Sequence, residues 1–118
     1  MNYLVVGGGA RESAIVWKLW RDSGVTAVFS VSANEVPAVI IEAARKSKST
    51  VFIGPDKPLV DGLADELRAA GIRVFGPSKE AARIEGSKAF AKRLIEKIGV
   101  PTAKAEIFDS IDLALRYV

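Results

Sequence analysis

Three successive glycines near the N-terminus form the part of the chain best suited to hold a ligand. Gly7, Gly8 and Gly9 follow an apolar run at residues 3–6 and precede a helical pattern, so the sequence predicts a strand, a tight turn and a helix. Glycines allow the backbone N–H groups of such a turn to approach a ligand, and the helix directs its positive end to the same place. The turn therefore favours an anion, with Arg11 as a charged partner.

Three ligand hypotheses and a plain connection without ligand compete for this turn. A dinucleotide fingerprint fits at Gly7 and Gly9, but Glu12 occupies its third position, which should be small. The second strand also ends in residues 32–34, Ser-Ala-Asn, rather than in a carboxylate, although Glu35 is near. A P-loop is excluded because no Gly-Lys-Ser or Gly-Lys-Thr follows. A nest for one terminal phosphate remains.

The rest of the chain alternates strands and helices. Strands are predicted at residues 3–6, 26–31, 50–53 and 73–75, with a further strand at 105–108. Helices are predicted from the glycine turn to an end signal at Gly24, and then at residues 36–46, 59–70 (with Pro58 at its start), 79–84, 87–98 and from about 109 to 118. This alternation predicts an α/β fold: a doubly wound, Rossmann-like parallel sheet of four to five strands in the order 2-1-3-4, with helices on both faces.

The predicted order brings two unusual loops together. Ligands of doubly wound sheets bind at the carboxyl ends of the strands, where the direction of sheet growth reverses. The loops at residues 7–11 and 54–58 lie at that switch point, so they should line one crevice.

Composition limits the chemistry available to this chain. Its 118 residues, 49% hydrophobic and 26% charged, are typical of a globular domain, and it contains no cysteine or histidine. Disulfides, the usual zinc sites and imidazole or thiol catalysis are thereby excluded. No apolar run approaches the ~20 residues of a membrane span, and no signal peptide is apparent, so we expect a cytoplasmic protein without a membrane partner. The net charge of +3 comes from scattered Lys and Arg, which does not favour nucleic acid.

Three motifs resemble one family of enzymes. They are Leu-Val-Val-Gly-Gly-Gly-Ala-Arg-Glu-Ser-Ala at residues 4–14, Val-Phe-Ile-Gly-Pro-Asp-Lys-Pro-Leu-Val-Asp-Gly at 51–62, and Gly-Ile-Arg-Val-Phe-Gly-Pro-Ser-Lys-Glu-Ala-Ala-Arg-Ile-Glu-Gly-Ser-Lys-Ala-Phe-Ala-Lys at 71–92. In this order they resemble the N-terminal part of phosphoribosylamine–glycine ligase, also called glycinamide ribonucleotide synthetase. The third motif is the most specific.

The resemblance implies a function in purine biosynthesis. That family is a ligase of ATP-grasp type, which uses ATP and Mg²⁺ to join glycine to 5-phosphoribosylamine through a glycyl phosphate. It implies that residues 1–99 are the substrate-binding (pre-ATP-grasp) domain and residues 100–118 a linker and the start of a truncated ATP-grasp region. The missing ATP-grasp part would be a partner, and this chain alone is expected to be inactive and to hold no cofactor or metal.

The resemblance also assigns site residues. It implies phosphoribosyl binding by Gly7, Gly8, Gly9, Arg11, Asn34, Gly54, Pro55 and Asp56. Asp56 stands where the family usually has Glu, and its carboxylate could accept hydrogen bonds from the ribose hydroxyls or the amine, or it could instead cap the helix that starts near Pro58. It places Lys88 and Lys92 near the nucleotide phosphates of ATP, although both could equally belong to a solvated helix face. No catalytic residue and no metal ligand is expected in this segment.

Two departures from the family pattern leave alternatives open. Ser13 stands where the family usually has His, and the Pro-Gly-Asn-x-Gly loop after strand two is reduced to residues 32–35, with Asn34 as its remnant. A non-catalytic paralogue domain that kept the fold is therefore one alternative. A dinucleotide-binding Rossmann module of an oxidoreductase is the other.

Overall fold

The computed structural model describes residues 1–117 in two compact units, Met1–Gly86 and the segment from Ser87 onward. The first unit contains the strands β1 Asn2–Val6, β2 Ala27–Val31, β3 Ser49–Ile53 and β4 Val74–Phe75, and the helices α1 Ala10–Trp20, α2 Pro37–Ser47, α3 Asp56–Asp61, α4 Leu63–Ala69 and α5 Lys79–Gly86. The second unit contains α6 Lys88–Lys97 and α7 Ile111–Tyr117. Val118, to which the sequence extends the last helix, lies outside the described residues.

The four strands of the first unit form one parallel sheet in the order β2-β1-β3-β4. Leu4 in the central strand β1 lies opposite Phe29 on one side and Val51 on the other. Growth of the sheet reverses between β2 and β3, so the predicted fold class and strand order are confirmed. The switch point lies where β1 and β3 end side by side.

One face of the sheet carries the main hydrophobic core. Alternate residues of β1 and β3 point to α2 and α4, and the buried cluster consists of Leu4, Val6, Ile40, Ala44, Val51, Ile53, Leu63, Ala64 and Leu67. Right-handed crossovers place α1 on the opposite face, towards which the fully buried Val5 points. Strands buried on both faces explain the continuous apolar run of β1.

The predicted helix at residues 59–70 is in fact two helices. Gly62 has φ of +106° and separates α3 from α4, because this left-handed conformation ends one helix and allows the chain to enter the next. The helical conformation begins at Asp56, so Pro58 is the third residue of α3 rather than its first. The predicted start of this helix was therefore wrong, and the start of α4 at Leu63 was not predicted.

The sequence was also wrong about one strand and about the end of one helix. Residues 105–108 form no strand: they are exposed, and a strand needs a neighbour to pair its backbone groups. The sheet therefore has four strands. Helix α1 ends at Trp20, before the predicted end signal at Gly24, which instead lies in the turn leading to β2.

The second unit begins with an amphipathic helix, as predicted. The side chain of Ser87 caps α6 by accepting a hydrogen bond from the Phe90 N–H at 3.3 Å, and Gly99 follows its end with φ of +72°. The two units divide between Gly86 and Ser87, whereas the sequence analysis placed residues 1–99 in one domain. The assignment of residues 100–118 to a linker and the start of an ATP-grasp region stays a prediction.

Candidate functional site

The glycine turn connects the end of β1 to α1. Gly7 has φ of +113° and is buried, and its N–H donates to the carbonyl of Val31 at 2.9 Å, which ties the turn to the end of β2. Gly9 is the N-cap residue of α1 and is extended. Gly8 lies between them and faces open space, since a Cβ placed on it would have no heavy atom within 4 Å. Of these three positions, only Gly7 requires glycine for its backbone conformation.

The second loop lies directly beside the first. The Gly54 N–H donates to the carbonyl of Val6 at 3.2 Å, and a Cβ at Gly7 would meet the ring of Pro55 at 2.9 Å. Arg11 Nη1 and Asp56 Oδ1 form an ion pair of 3.0 Å between the two loops. The sequence-based expectation that these loops meet at the switch point therefore agrees with the geometry.

Asp56 pairs with Arg11 and is not the N-cap residue of α3, whereas its role in ligand binding stays a prediction. Its carboxylate does not cap a helix, since it is the first residue of α3 and Pro55 is the N-cap. It accepts a hydrogen bond from Arg11 instead, and both side chains remain more than half exposed, at 68% for Arg11 and 57% for Asp56. A pair this exposed contributes only about 0–1 kcal/mol to stability, so a ligand can exchange with either partner.

Among the cavities that border this pair of loops, two are lined by Asn34. One of about 380 Å³ is lined by the turn at Gly7 and Gly8 and by the chain from Ser30 to Asn34. The other, of about 540 Å³, lies between the loop after β2 and α3, where Asn34 and Pro55 line it together with an ion pair of Lys57 and Asp61. Asn34 lines both cavities, and its N–H donates to the Ser32 side chain at 3.1 Å.

Glu12 is the member of the site whose role the sequence did not reveal. Its side chain is 5% exposed and folds back under the turn, where Oε2 accepts a hydrogen bond from the Gly9 N–H at 2.7 Å. The signal was present in the spacing, because a Glu three residues after an N-cap residue can reach back to the backbone N–H of that residue. Ser13, which replaces the usual His, donates from its hydroxyl to the Gly9 carbonyl at 3.0 Å.

The lysines assigned to ATP belong to the second unit. Lys88 is the exposed first residue of α6. Lys92 Nζ donates to Thr102 Oγ1 at 2.7 Å and to the carbonyl of Ala103 at 2.5 Å, so it holds the segment that follows α6. Contacts of either lysine with a nucleotide stay a prediction.

Neither a cluster of metal-binding side chains nor a membrane-spanning helix is found in the part of the chain that the structure describes. Within residues 1–117, His, Cys, Asp and Glu side chains do not form a cluster of three or more that could hold a metal ion. None of the helices in that range combines the length and apolar character needed to cross a bilayer.

Comparison with known proteins adds a family to this geometry. A family model described as "Phosphoribosylglycinamide synthetase, N domain" matches residues 1–85. The chain is 36% identical to the phosphoribosylamine–glycine ligase of Haemophilus influenzae and 41% identical to that of Agrobacterium fabrum. Both alignments cover all of this chain but only 32% and 31% of the relatives, so the chain spans about a third of their length.

The relatives also have residues within the aligned region that this chain lacks. They extend over 135 and 133 residues, against 118 in this chain, so the relatives carry residues without a counterpart here. Among solved structures, a biotin carboxylase domain of a single-chain bacterial carboxylase is similar to this chain with a TM-score of 0.70 and 14% identity, over 99% of this chain and 34% of that chain. This similarity supports the fold alone.

Proposed function

The chain belongs to the phosphoribosylglycinamide synthetase N-domain family, and on this premise we propose that it is the N-terminal substrate-binding part of a phosphoribosylamine–glycine ligase. In the proposed reaction ATP, glycine and 5-phosphoribosylamine give glycinamide ribonucleotide, ADP and phosphate. ATP and Mg²⁺ would be bound by an ATP-grasp part, which would lie in the portion of the relatives that this chain does not cover. Its phosphorylated substrates do not cross membranes, so we expect it to act in the cytoplasm.

We infer that the crevice between the glycine turn and the Gly54–Asp56 loop receives the phosphoribosyl group. The observation that carries this proposal is the exposed ion pair of Arg11 and Asp56, which lies across the two loops at the switch point. A phosphate monoester can replace Asp56 as the partner of Arg11 and accept hydrogen bonds from the first N–H groups of α1, which have no intrahelical acceptor.

Once Asp56 is released from Arg11, its carboxylate would be available to bind the rest of the ligand. A free carboxylate accepts hydrogen bonds from hydroxyl and amine groups, both of which 5-phosphoribosylamine carries. Asn34, which borders both cavities, is placed to contact the same ligand. The phosphate would thus lie at the start of α1, and the ribose and amine would extend towards α3.

A non-catalytic domain that kept the fold is the second candidate. Ser13 in place of His and the additional residues of the relatives favour it. In that case the crevice would bind no phosphorylated sugar. A dinucleotide module has less support, because Glu12 occupies the space under the turn.

The test is an amide NMR titration of the 118-residue chain with ribose 5-phosphate. We expect saturable shifts at the glycine turn and at Asp56, with a dissociation constant near millimolar, which corresponds to about 4 kcal/mol. Gly8→Leu should abolish these shifts, because its side chain enters the crevice where Gly8 faces open space. Gly24→Leu is the matched control, since Gly24 is equally open but lies in the turn before β2.

Three results are informative. Loss of binding in the Gly8 variant with a preserved fold supports the phosphoribosyl site. Unchanged affinity in that variant contradicts it. Shifts with a dinucleotide and none with ribose 5-phosphate would replace the proposal by the Rossmann alternative.

A further inference from the structure

The buried carboxylate of Glu12 is only half used by the protein. Oε2 accepts the hydrogen bond from the Gly9 N–H, whereas Oε1 is buried and has no hydrogen-bond partner among residues 1–117. A buried carboxylate oxygen without a hydrogen-bond donor lowers the stability of the fold. A role in the crevice would explain why the chain carries this residue.

Glycines surround this carboxylate on three sides. A Cβ at Gly54 would lie 2.2 Å from Glu12 Oε1, a Cβ at Gly7 would lie 2.8 Å from its Cγ, and a Cβ at Gly9 would lie 2.9 Å from its Oε2. Any side chain at these positions would collide with Glu12. These three glycines therefore leave the space that the Glu12 side chain fills between the two loops.

The position of Glu12 changes what the turn can bind. Its carboxylate accepts the hydrogen bond from the Gly9 N–H. Gly9 is the second glycine of a dinucleotide fingerprint, and its N–H would otherwise be available to a pyrophosphate. It also places a fixed negative charge beside the anion site, where low exposure limits screening by solvent. Repulsion from a fixed charge grows with the charge of the ligand, so the penalty is larger for a diphosphate than for a monophosphate.

We propose that Glu12 is a specificity-determining residue, which makes the crevice select phosphate monoesters and reject diphosphates. The inference rests on the proposed function, because it concerns the same anion site. Arg11 and the free amides of α1 attract one phosphate group, and the charge of Glu12 opposes the second.

The experiment compares inorganic phosphate with pyrophosphate as probes of the 118-residue chain. Amide NMR titrations give both dissociation constants for the unchanged chain, for Glu12→Gln and for Glu12→Met, with thermal unfolding as a check on folding. The unchanged chain should bind pyrophosphate no more tightly than phosphate. In both neutral variants the preference for pyrophosphate over phosphate should rise at least threefold. Glu42→Gln is the matched control, because it removes the same charge from an exposed position on α2 and should leave the preference unchanged.

A purely structural role for Glu12 predicts a different result. Loss of the Gly9 hydrogen bond would weaken both anions alike and leave their ratio unchanged, which would overturn the inference but leave the phosphate site in place. A tenfold preference of the unchanged chain for pyrophosphate would overturn it as well, even if neither variant folds. Failure of phosphate, pyrophosphate and ribose 5-phosphate alike to shift the turn would overturn both the inference and the proposed function.

Discussion

The contact between Gly54 and Glu12 gives the sharpest test of the geometry under the glycine turn. In Gly54→Ala the new Cβ would lie 2.2 Å from Glu12 Oε1, 2.5 Å from Cγ and 2.7 Å from Cδ, so the Glu12 side chain must move. Gly54 does not have a left-handed φ, and the backbone itself tolerates Ala. Overpacking of this kind lowers stability by about 1–3 kcal/mol. Loss of the Gly9 hydrogen bond adds about 1 kcal/mol. We therefore expect Gly54→Ala to lower the free energy of unfolding by about 2–4 kcal/mol.

This penalty should disappear when Glu12 is truncated. In a Glu12→Ala background the same Gly54→Ala change should be neutral, or stabilising by up to about 1 kcal/mol, because it then only restricts the unfolded chain. Urea unfolding followed by far-ultraviolet circular dichroism gives the free energy of unfolding of the unchanged chain, the two single variants and the double variant. Gly24→Ala is the control, since a Cβ there has no neighbour within 4 Å. Additive effects, within about 0.5 kcal/mol, would show that Glu12 does not lie against Gly54 and would refute the expected contact.

Two further predictions concern stability away from the crevice. Leu67 is fully buried against the sheet, and Leu67→Ala should lower the free energy of unfolding by about 2–5 kcal/mol in the same urea assay; a loss below about 1 kcal/mol would contradict its place in the core. Lys48 ends α2 with φ of 52° and ψ of 41°, a left-handed conformation that glycine adopts more easily, so Lys48→Gly should raise the melting temperature, with a gain of up to about 1 kcal/mol. A lower melting temperature would show that Lys48 stabilises the helix end through its side chain.

The sheet could be predicted from the sequence because its signals are local and repeated. Each strand is a short apolar run, each is followed by a helical pattern, and right-handed crossovers leave few strand orders to choose from. The break at Gly62 was missed because apolar residues continue on both sides of it, and only its φ of +106° shows that the helix ends. The run at residues 105–108 has strand-forming side chains, but no neighbouring strand among residues 1–117 pairs with it.

The site was predictable at the level of loops and less so at the level of side chains. The contact between residues 7–11 and residues 54–58 follows from the topology, because the two loops follow the carboxyl ends of two adjacent parallel strands. The pairing of Arg11 with Asp56 depends on which long side chain reaches across the gap, and sequence spacing does not encode this. From the sequence, Glu12 was noted only as too large for the third position of a dinucleotide fingerprint. Its burial was not expected, because a carboxylate is seldom buried without a full set of partners.

The charges around the turn explain why this crevice should bind weakly on its own. Asp56 pairs with the guanidinium of Arg11, and the carboxylate of Glu12 is buried under the same turn, whereas the start of α1 adds positive potential. In the proposed site, a phosphate would have to break the existing ion pair before it gained Arg11, so part of its interaction energy would be offset from the start. Tight binding of the proposed substrate would then require contacts from outside this segment, and the chain spans only about a third of the length of its relatives. If phosphate binds as proposed, Asp56 would pair with Arg11 again when the phosphate leaves, and this ion pair would join the two loops between binding events.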